Sequence, residues 1–402
     1  MTDYHAKRQE YYVPLPVWIT NKFVKPMLAH EKDTALVHAL ANVAIFAPTA
    51  ACLLLAARPS HVLGALYVAA LYALFLQRFM LAMHYAAHRP PMQAPANASN
   101  TTKLVVAAFN EAPTTLLCAF FGLPPCCYRM HHVAMHHGGA NSPAPWRDLS
   151  STATLPRRGA RGVAAFVWYW LRSFAALAAS LPLWALRRRG IADTVKTVCG
   201  IVAYFATYFA LRNVNAVAAN YLIPVPFLIS SLALAFGNWS QHALLHLADD
   251  GTARTEPHAV AYDCLVCADN ARTFNDGYHA VHHEEPTCHW SEMPLRYAQR
   301  CEAWIAHLEY VRDHGSADGA PPPPHSRREP CARLAFEGLG FFDIGVLCLL
   351  GEYGERTMAK HFVDACDPSE REHDSAWCAT ELRRRLRPAV TKTAMRHYQY
   401  YL

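Results

Sequence analysis

Four long apolar blocks, arranged as two pairs, limit what this 402-residue chain can fold into. They extend over about residues 34–57, 62–83, 195–211 and 214–236. Each block approaches the roughly 20 residues that a helix needs to cross a bilayer, where every backbone polar group must find a partner within the protein. Only 17% of the residues are charged, against roughly 25% in soluble domains. The blocks therefore predict an all-α integral membrane protein with four transmembrane helices.

Four short histidine clusters are the second unusual feature, and we number them boxes 1 to 4 in chain order. They read HYAAH, HVAMHH, NWSQH and HAVHH. Residues four apart project from the same face of a helix, so each box can present its side chains at one point. A single HxxxH is usually explained by buried core histidines, whereas four boxes in one chain indicate a metal site. The boxes supply nine imidazoles and one amide: His84, His88, His132, His136, His137, Asn238, His242, His279, His282 and His283.

The ligand type and number narrow the choice of metal. Neutral imidazole suits Zn, Cu, Fe and Ni, whereas thiolates select softer ions and carboxylates harder ones. Nine imidazoles are too many for a single tetrahedral ion with four ligands. The boxes therefore predict two metal ions held side by side.

Ligands that share one site must lie on one side of the membrane. The first thirty residues show no cleavable signal, so we expect a cytosolic N-terminus and two crossings that return box 1 to the cytosol. An apolar stretch at 104–126, interrupted by polar residues at 110–113, is then predicted to be an in-plane or dipping hairpin. Another at 163–186 has arginines at both ends and is predicted to lie along the membrane surface. The sequons at Asn97 and Asn100 would remain unmodified.

The sequence divides into three predicted parts. Residues 1–33 form a cytosolic N-terminal segment, 34–295 a membrane domain with in-plane helices and a cytosolic helical cap that carries the boxes, and 296–402 a cytosolic helical extension. The extension contains four consecutive prolines within 319–325 and a basic stretch ending at Arg387. The thirteen cysteines are scattered, and the Cys264/Cys267 pair has no second pair to complete a zinc site, so we expect reduced thiols.

The box spacing resembles that of the membrane fatty acid desaturase and hydroxylase superfamily. Its hallmark is HxxxH, HxxHH or HxxxHH, and HxxHH on a scaffold of four transmembrane helices. Residues 277–294, GYHAVHHEEPTCHWSEMP, look like that superfamily's last box, and 136–152, HHGGANSPAPWRDLSST, resemble the segment after its second box. The resemblance covers residues 34 to about 295. An active site on the cytosolic side is implied, in the endoplasmic reticulum of a eukaryote or the inner membrane of a bacterium.

The resemblance implies two non-haem irons, cycling between Fe2+ and Fe3+, which activate O2 against a C–H bond of an acyl chain. The nine imidazoles named above would be their ligands, and Asn238 would reach iron through a water molecule. Either His131 or His132 can be the first ligand of box 2, and His132 gives the superfamily's HxxxHH spacing. Five further residues are expected to support the ligands without binding iron: His131, His246, His289, Asp148 and Glu284, with Glu285 beside the last.

The reaction implied is the introduction of a double bond into a fatty-acyl lipid chain. The alternative is an alkyl or fatty-acyl hydroxylase with the same di-iron site, since HxxxH followed by HxxxHH also matches alkane hydroxylases. The sequence contains no HPGG haem motif and no GxGxxG after a strand. The resemblance implies a separate electron donor, cytochrome b5 or ferredoxin. A histidine-lined metal transporter is disfavoured, because its ligands should lie at mid-membrane depth rather than at helix ends.

Overall fold

The computed structural model describes residues 12–142, 144–154, 162–244, 259–314 and 334–364, and these residues are mostly helical. Short π-helical segments at Thr20–Val24, Pro113–Leu117, Met130–His137 and Ala176–Ser180, and 3-10 turns at Lys25–Met27, Glu31–Asp33 and Thr152–Thr154, join or extend the α-helices. The α-helices are α1 (Val17–Ile19), α2 (Thr34–Ala56), α3 (His61–His88), α4 (Asn100–Ala112), α5 (Cys118–Phe120), α6 (Cys127–Arg129), α7 (Val163–Ala175), α8 (Leu181–Arg188), α9 (Ile191–Val214), α10 (Ala216–Leu222), α11 (Pro224–Gln241), α12 (Asp269–Arg272), α13 (His279–Glu284), α14 (Met293–His314), α15 (Phe341–Leu349) and α16 (Glu352–Ala359).

Among the described residues, four helical segments are long and apolar enough to cross a membrane, which confirms the predicted number. They are Glu31–Ala56, His61–His88, Ile191–Val214 and Ala216–Gln241. Side-chain caps define two of their starts. The Ser60 hydroxyl accepts a hydrogen bond from the Leu63 amide at 3.3 Å, and the Asn215 side chain accepts one from the Ala218 amide at 3.0 Å.

The hairpin predicted from the polar residues at 110–113 is wrong, because the helix continues through these residues. Helix α4 runs into the π-helical segment Pro113–Leu117, which absorbs the proline, and then into α5. Asn110 does not end the helix, since its side chain binds the backbone of Met92 through two hydrogen bonds of 3.1 and 2.8 Å. The stretch at 163–186 is also helical, from Val163 to Arg188. Whether either segment lies in the membrane plane stays a prediction.

A small three-stranded sheet was missed by the all-α prediction. Strand β1 (Asp263–Leu265) pairs in parallel with β2 (Leu334–Glu337), which pairs antiparallel with β3 (Phe362–Asp364). Two of these strands lie in the region predicted to be a helical extension. Runs of three or four residues are too short for the alternation that identifies a strand in sequence.

The chain forms two compact units. Unit 1 consists of Met1–Gly138, Trp170–Ala235 and Ala271–Phe274, and unit 2 of Gly139–Tyr169, Phe236–Asn270 and Asn275–Leu402. In unit 1, Phe79 stacks on Phe121 with ring centroids 4.3 Å apart, and the Tyr72 hydroxyl donates to the Pro226 carbonyl at 3.0 Å. In unit 2, buried Phe336 packs against Tyr262 and Phe362. The division at residues 33 and 295 stays a prediction.

Candidate metal centre

Boxes 1 and 2 both lie in unit 1. Helix α3 carries His84 and His88 on its last two turns, where their four-residue spacing places them on one face. The ligand nitrogens of His84, His88 and His132 all lie within 4.8 Å of one another, and the Nε2 atoms of His88 and His132 are 2.9 Å apart. Two nitrogens bound to one ion at about 2.1 Å are at most about 4.2 Å apart. Small side-chain shifts therefore suffice to bring these three onto a common ion.

The other two imidazoles of box 2 lie beside this group. The ring centroid of His137 is 4.4 Å from that of His88 and 4.8 Å from that of His132, and His136 is 5.6 Å from His132. Box 2 occupies the π-helical segment Met130–His137. A π-helical turn contains more residues than an α-helical one, so it redirects the side chains that follow. Five imidazoles are thereby gathered in unit 1.

Boxes 3 and 4 both lie in unit 2. Helix α11 ends one residue before His242, and α13 begins at His279. The rings of His242, His279 and His283 are mutual neighbours, with centroid distances of 4.8 to 5.1 Å. The Nε2 atoms of His242 and His279 are 3.4 Å apart, and His282 lies 5.6 Å from His279. All four imidazoles are buried, so boxes 3 and 4 gather a second cluster of histidines in unit 2.

Contacts on the far ring nitrogens orient two of these imidazoles. The Nδ1 atom of His242 is 2.6 Å from the Val260 carbonyl oxygen. A carbonyl can only accept, so the proton lies on Nδ1 and Nε2 keeps its lone pair. The Nδ1 atom of His279 lies 3.3 Å from the amide nitrogen of Gln241. The same amide donates a 2.6 Å hydrogen bond to the fully buried carboxylate of Asp276, whose other oxygen lies 3.7 Å from His279 Nδ1.

The protonation of the site suits a metal. Burial, followed by the neighbouring His84, lowers the pKa of His132 well below its usual value. Neutral imidazole is the form that binds a metal ion. Burial raises the pKa of Asp276 to about 7, while the hydrogen bond from Gln241 lowers it. A set of neutral nitrogen donors fits iron among the ions that imidazole binds, so the residues present fit the implied cofactor.

The residues predicted to support the ligands have identifiable partners of their own. Asp148 accepts hydrogen bonds from the backbone and hydroxyl of Ser150, at 2.8 and 2.7 Å. Glu284 and Glu285 both pair with the buried guanidinium of Arg300.

Three further histidines were predicted to support the ligands. Nδ1 of His289 lies 2.7 Å from the Ser291 hydroxyl. His131 is half-buried next to buried His132, and His246 lies outside the described residues. The supporting roles of all five predicted residues stay predictions.

Asn238 belongs to a buried polar group that the sequence did not reveal. Its amide donates to the Ser150 carbonyl at 3.1 Å and to the Tyr169 hydroxyl, which itself donates to the same carbonyl at 2.9 Å. Nearby, the Thr152 hydroxyl donates to the His242 carbonyl at 2.7 Å. The segment after box 2 therefore supports the helix end that carries box 3.

Sequence distance explains which of these partners were missed. Gln241 adjoins His242, and Asp276 precedes His279 by three residues, so both could have been sought as near neighbours of a box. Tyr169 lies far from Asn238 in the chain, and nothing in the sequence marks it.

Comparison with family models matches the chain, over residues 60–312, to the fatty acid desaturase family. No curated protein and no solved structure matches it. The matched region begins just before α3, ends within α14, spans more than half of the chain and includes all four boxes. The family comprises di-iron oxidoreductases that act on lipids in membranes. On the strength of this match, its four apolar helices and its histidine clusters, the chain belongs to the fatty acid desaturase family.

Proposed function

We propose that this protein is an O2-dependent lipid desaturase that introduces a double bond into a fatty-acyl chain at the membrane. One observation carries the proposal: in a chain of this family, boxes 1 and 2 gather five imidazoles in unit 1, and boxes 3 and 4 gather four in unit 2. The family supplies the substrate class, since its members act on lipids. That the product is an alkene, rather than the alcohol that a hydroxylase would form, is itself proposed.

The nine imidazoles are proposed to hold two irons, which supply O2 activation when bound. The ligands would be His84, His88, His132, His136, His137, His242, His279, His282 and His283, with Asn238 reaching iron through a water molecule. The chain's own contribution is to keep these nitrogens neutral and correctly aimed. Burial keeps His132 neutral. The Val260 carbonyl orients the ring of His242, and the Gln241 amide contacts the ring of His279.

The proposed reaction balances only with an external reductant. Converting CH2–CH2 to CH=CH with one O2 consumes two electrons and two protons and releases two waters. The electrons are proposed to come from a separate donor protein, cytochrome b5 or ferredoxin. Insertion of one oxygen into C–H, with release of one water, consumes the same electrons and would yield an alcohol. We propose that the boxes, and hence the reaction, lie on the cytosolic side of the membrane.

The test combines metal analysis with lipid analysis of the full chain. The purified protein should contain close to two irons and little zinc, because nine imidazoles exceed the ligand number of one ion. Cells that express it should gain lipids that are two hydrogens lighter, with the double bond located by mass spectrometry. His84→Ala and His283→Ala, one from each unit, should abolish the gain, whereas His361→Ala, whose ring contacts the Glu337 carbonyl, should retain it.

Each alternative has its own result. A product one oxygen heavier than the substrate would identify a hydroxylase. One tightly bound zinc per chain, with no change in cellular lipids, would contradict oxygen activation altogether. Variants that fold poorly are excluded by requiring wild-type yield of detergent-soluble protein before activity is compared.

A further inference from the structure

Residues 12–29 form a segment, here called the strap, that runs back along α2. The side chain of Asn42 on α2 pairs with both backbone groups of Val13: Oδ1 accepts from its N–H and Nδ2 donates to its carbonyl, each at 2.8 Å. One turn earlier, Nε2 of His38 lies 3.2 Å from the Thr20 hydroxyl. The strap is therefore held to α2 by polar side chains at two successive turns.

These contacts place the strap beside a membrane-crossing segment. His38 and Asn42 both belong to the candidate span Glu31–Ala56, and Asn42 lies about 12 Å along the helix from Thr34. In a bilayer, backbone N–H and carbonyl groups must be satisfied by protein. The two-point pairing of Asn42 with Val13 meets that need for both backbone groups of Val13. The strap thus has the polar satisfaction expected of a chain lying at the membrane interface.

The other end of the strap is joined to the chain that follows box 1. The Ala29 amide donates to the Pro91 carbonyl at 3.0 Å, and the Gln93 amide donates to the Met27 carbonyl at 2.7 Å. A buried apolar cluster lies under this junction, formed by Val24, Val37, Met92 and Val106. The strap is therefore an ordered part of unit 1 with a fixed outward face.

That outward face combines apolar, aromatic and basic side chains. Val17 and Trp18 are 74% and 65% exposed, and Phe23 packs edge-on against Trp18 with centroids 6.3 Å apart. Lys22 and Lys25 are exposed, and the Lys22 ammonium lies 5.4 Å from the centroid of the Phe23 ring. The strap contains no aspartate or glutamate. Tryptophan and lysine with exposed aliphatic side chains are typical of segments that lie in the headgroup layer.

We propose that the strap is a binding site for anionic phospholipid. Val13, Val17, Trp18 and Phe23 would lie among the upper acyl chains, and the ammonium groups of Lys22 and Lys25 would bind headgroup phosphates and carboxylates. The choice of an anionic lipid rests on charge, because two cations with no acidic neighbour in the strap complement a negative headgroup. The proposal requires membrane insertion but not the proposed reaction.

The test is native mass spectrometry of the full-length protein in detergent, titrated with dioleoyl phosphatidylglycerol or dioleoyl phosphatidylcholine. Lys22→Gln with Lys25→Gln should weaken phosphatidylglycerol binding by roughly ten-fold, since each surface lysine contributes measurably to anionic lipid attraction. The matched control, Arg356→Gln with Lys360→Gln, removes the same charge from exposed positions on α16 and at its C-cap, and should bind as the wild type does. Binding of phosphatidylcholine should be equal in all three proteins.

A second measurement locates the strap in the bilayer. In vesicles whose acyl chains carry bromine, tryptophan fluorescence of the wild type should be quenched by a larger fraction than that of Trp18→Phe. Equal phosphatidylglycerol affinity in the lysine variant and the wild type would overturn the proposal, as would equal quenching with and without Trp18. Loss of self-association in the lysine variant, with lipid binding unchanged, would instead assign this face to a second copy of the chain.

Discussion

At the scale of single residues, individual contacts orient the rings of the candidate ligands. The chain carries 23 histidines, and a histidine that binds a metal almost always donates its far N–H to a partner, which leaves the near nitrogen free. For His242 that condition is met by a backbone carbonyl, that of Val260. Beside the far nitrogen of His279 lie the Gln241 amide nitrogen, at 3.3 Å, and the Asp276 carboxylate, at 3.7 Å. The first of these contacts comes from a main-chain group, which carries no sequence signature.

The hydroxyl of Tyr169 is expected to stabilise the protein, because it accepts a hydrogen bond from Asn238. Tyr169→Phe removes the acceptor of one Asn238 hydrogen bond and a donor to the Ser150 carbonyl in a buried environment. We predict that it lowers the free energy of unfolding by about 1–3 kcal/mol and leaves the iron content unchanged, because no imidazole is lost. Denaturation in detergent measures the free energy of unfolding, and elemental analysis measures the iron content.

Tyr353→Phe is the matched control for this prediction. Tyr353 is exposed on α16, so its hydroxyl should contribute little to stability. Equal stability of the two variants would show that the Tyr169 hydroxyl is not required to hold Asn238.

At the scale of helices, the positions of boxes 1 and 3 follow from the long apolar blocks, and that of box 2 does not. The blocks at 62–83 and 214–236 predict membrane-length helices, and the C-terminal ends of α3 and α11 carry the histidines of box 1 and Asn238. Box 2 lies on a π-helical segment, in which side chains follow a different angular spacing from that of an α-helix. The pattern of apolar residues in the sequence does not reveal such a segment. The continuous helix through Asn110 was missed for a related reason. Its polar side chain is satisfied by the backbone of Met92, a partner that only the folded chain supplies.

Close packing between α9 and the loop before box 2 gives a prediction at this scale. A Cβ atom on Gly200 would lie 1.9 Å from the Pro125 carbonyl oxygen, so Gly200→Ala forces the backbone to move. We predict destabilisation by about 1–3 kcal/mol from overpacking, in spite of the better helix propensity of alanine. Thermal unfolding in detergent measures the difference.

Gly237→Ala supplies the comparison, because nothing lies within 4 Å of a Cβ at that helical position. Alanine there should be neutral or stabilising by up to about 1 kcal/mol. If Gly200→Ala unfolded at the same temperature as Gly237→Ala, the contact between α9 and Pro125 would not be tight in the folded protein.

At the scale of the whole molecule, the number of membrane-length helices was predictable because each span is set by bilayer thickness. The small sheet was not, since β1 pairs with a strand some seventy residues later. The resemblance read from four boxes is confirmed by the family match over residues 60–312. The side of the membrane on which the boxes lie is a matter of topology and is open to a direct test.

The sequons at Asn97 and Asn100 provide that test. We predict that both remain unmodified in a eukaryotic expression host, because the loop between α3 and α4 and the first turn of α4 are proposed to be cytosolic together with the boxes. Treatment with an endoglycosidase should leave the mobility of the protein unchanged. As a control, a flexible insert with one sequon between Ala56 and His61 should be glycosylated, because the loop between α2 and α3 is proposed to face the lumen. Its glycosylation would show that the host modifies sequons in this protein. A glycan on Asn97 or Asn100 would show that these residues face the lumen, on the side opposite to the one proposed.

The strap has a consequence for biosynthesis. Its residues leave the ribosome before α2 does, yet Val13 is bound by a side chain 29 residues further along the chain. The strap's pairing with Pro91 and Gln93 has to await synthesis of the whole of α3 and its C-terminal loop. The strap can therefore dock fully only after α2, α3 and the loop that follows α3 have been synthesised. Until then its exposed apolar side chains have no fixed position on the protein.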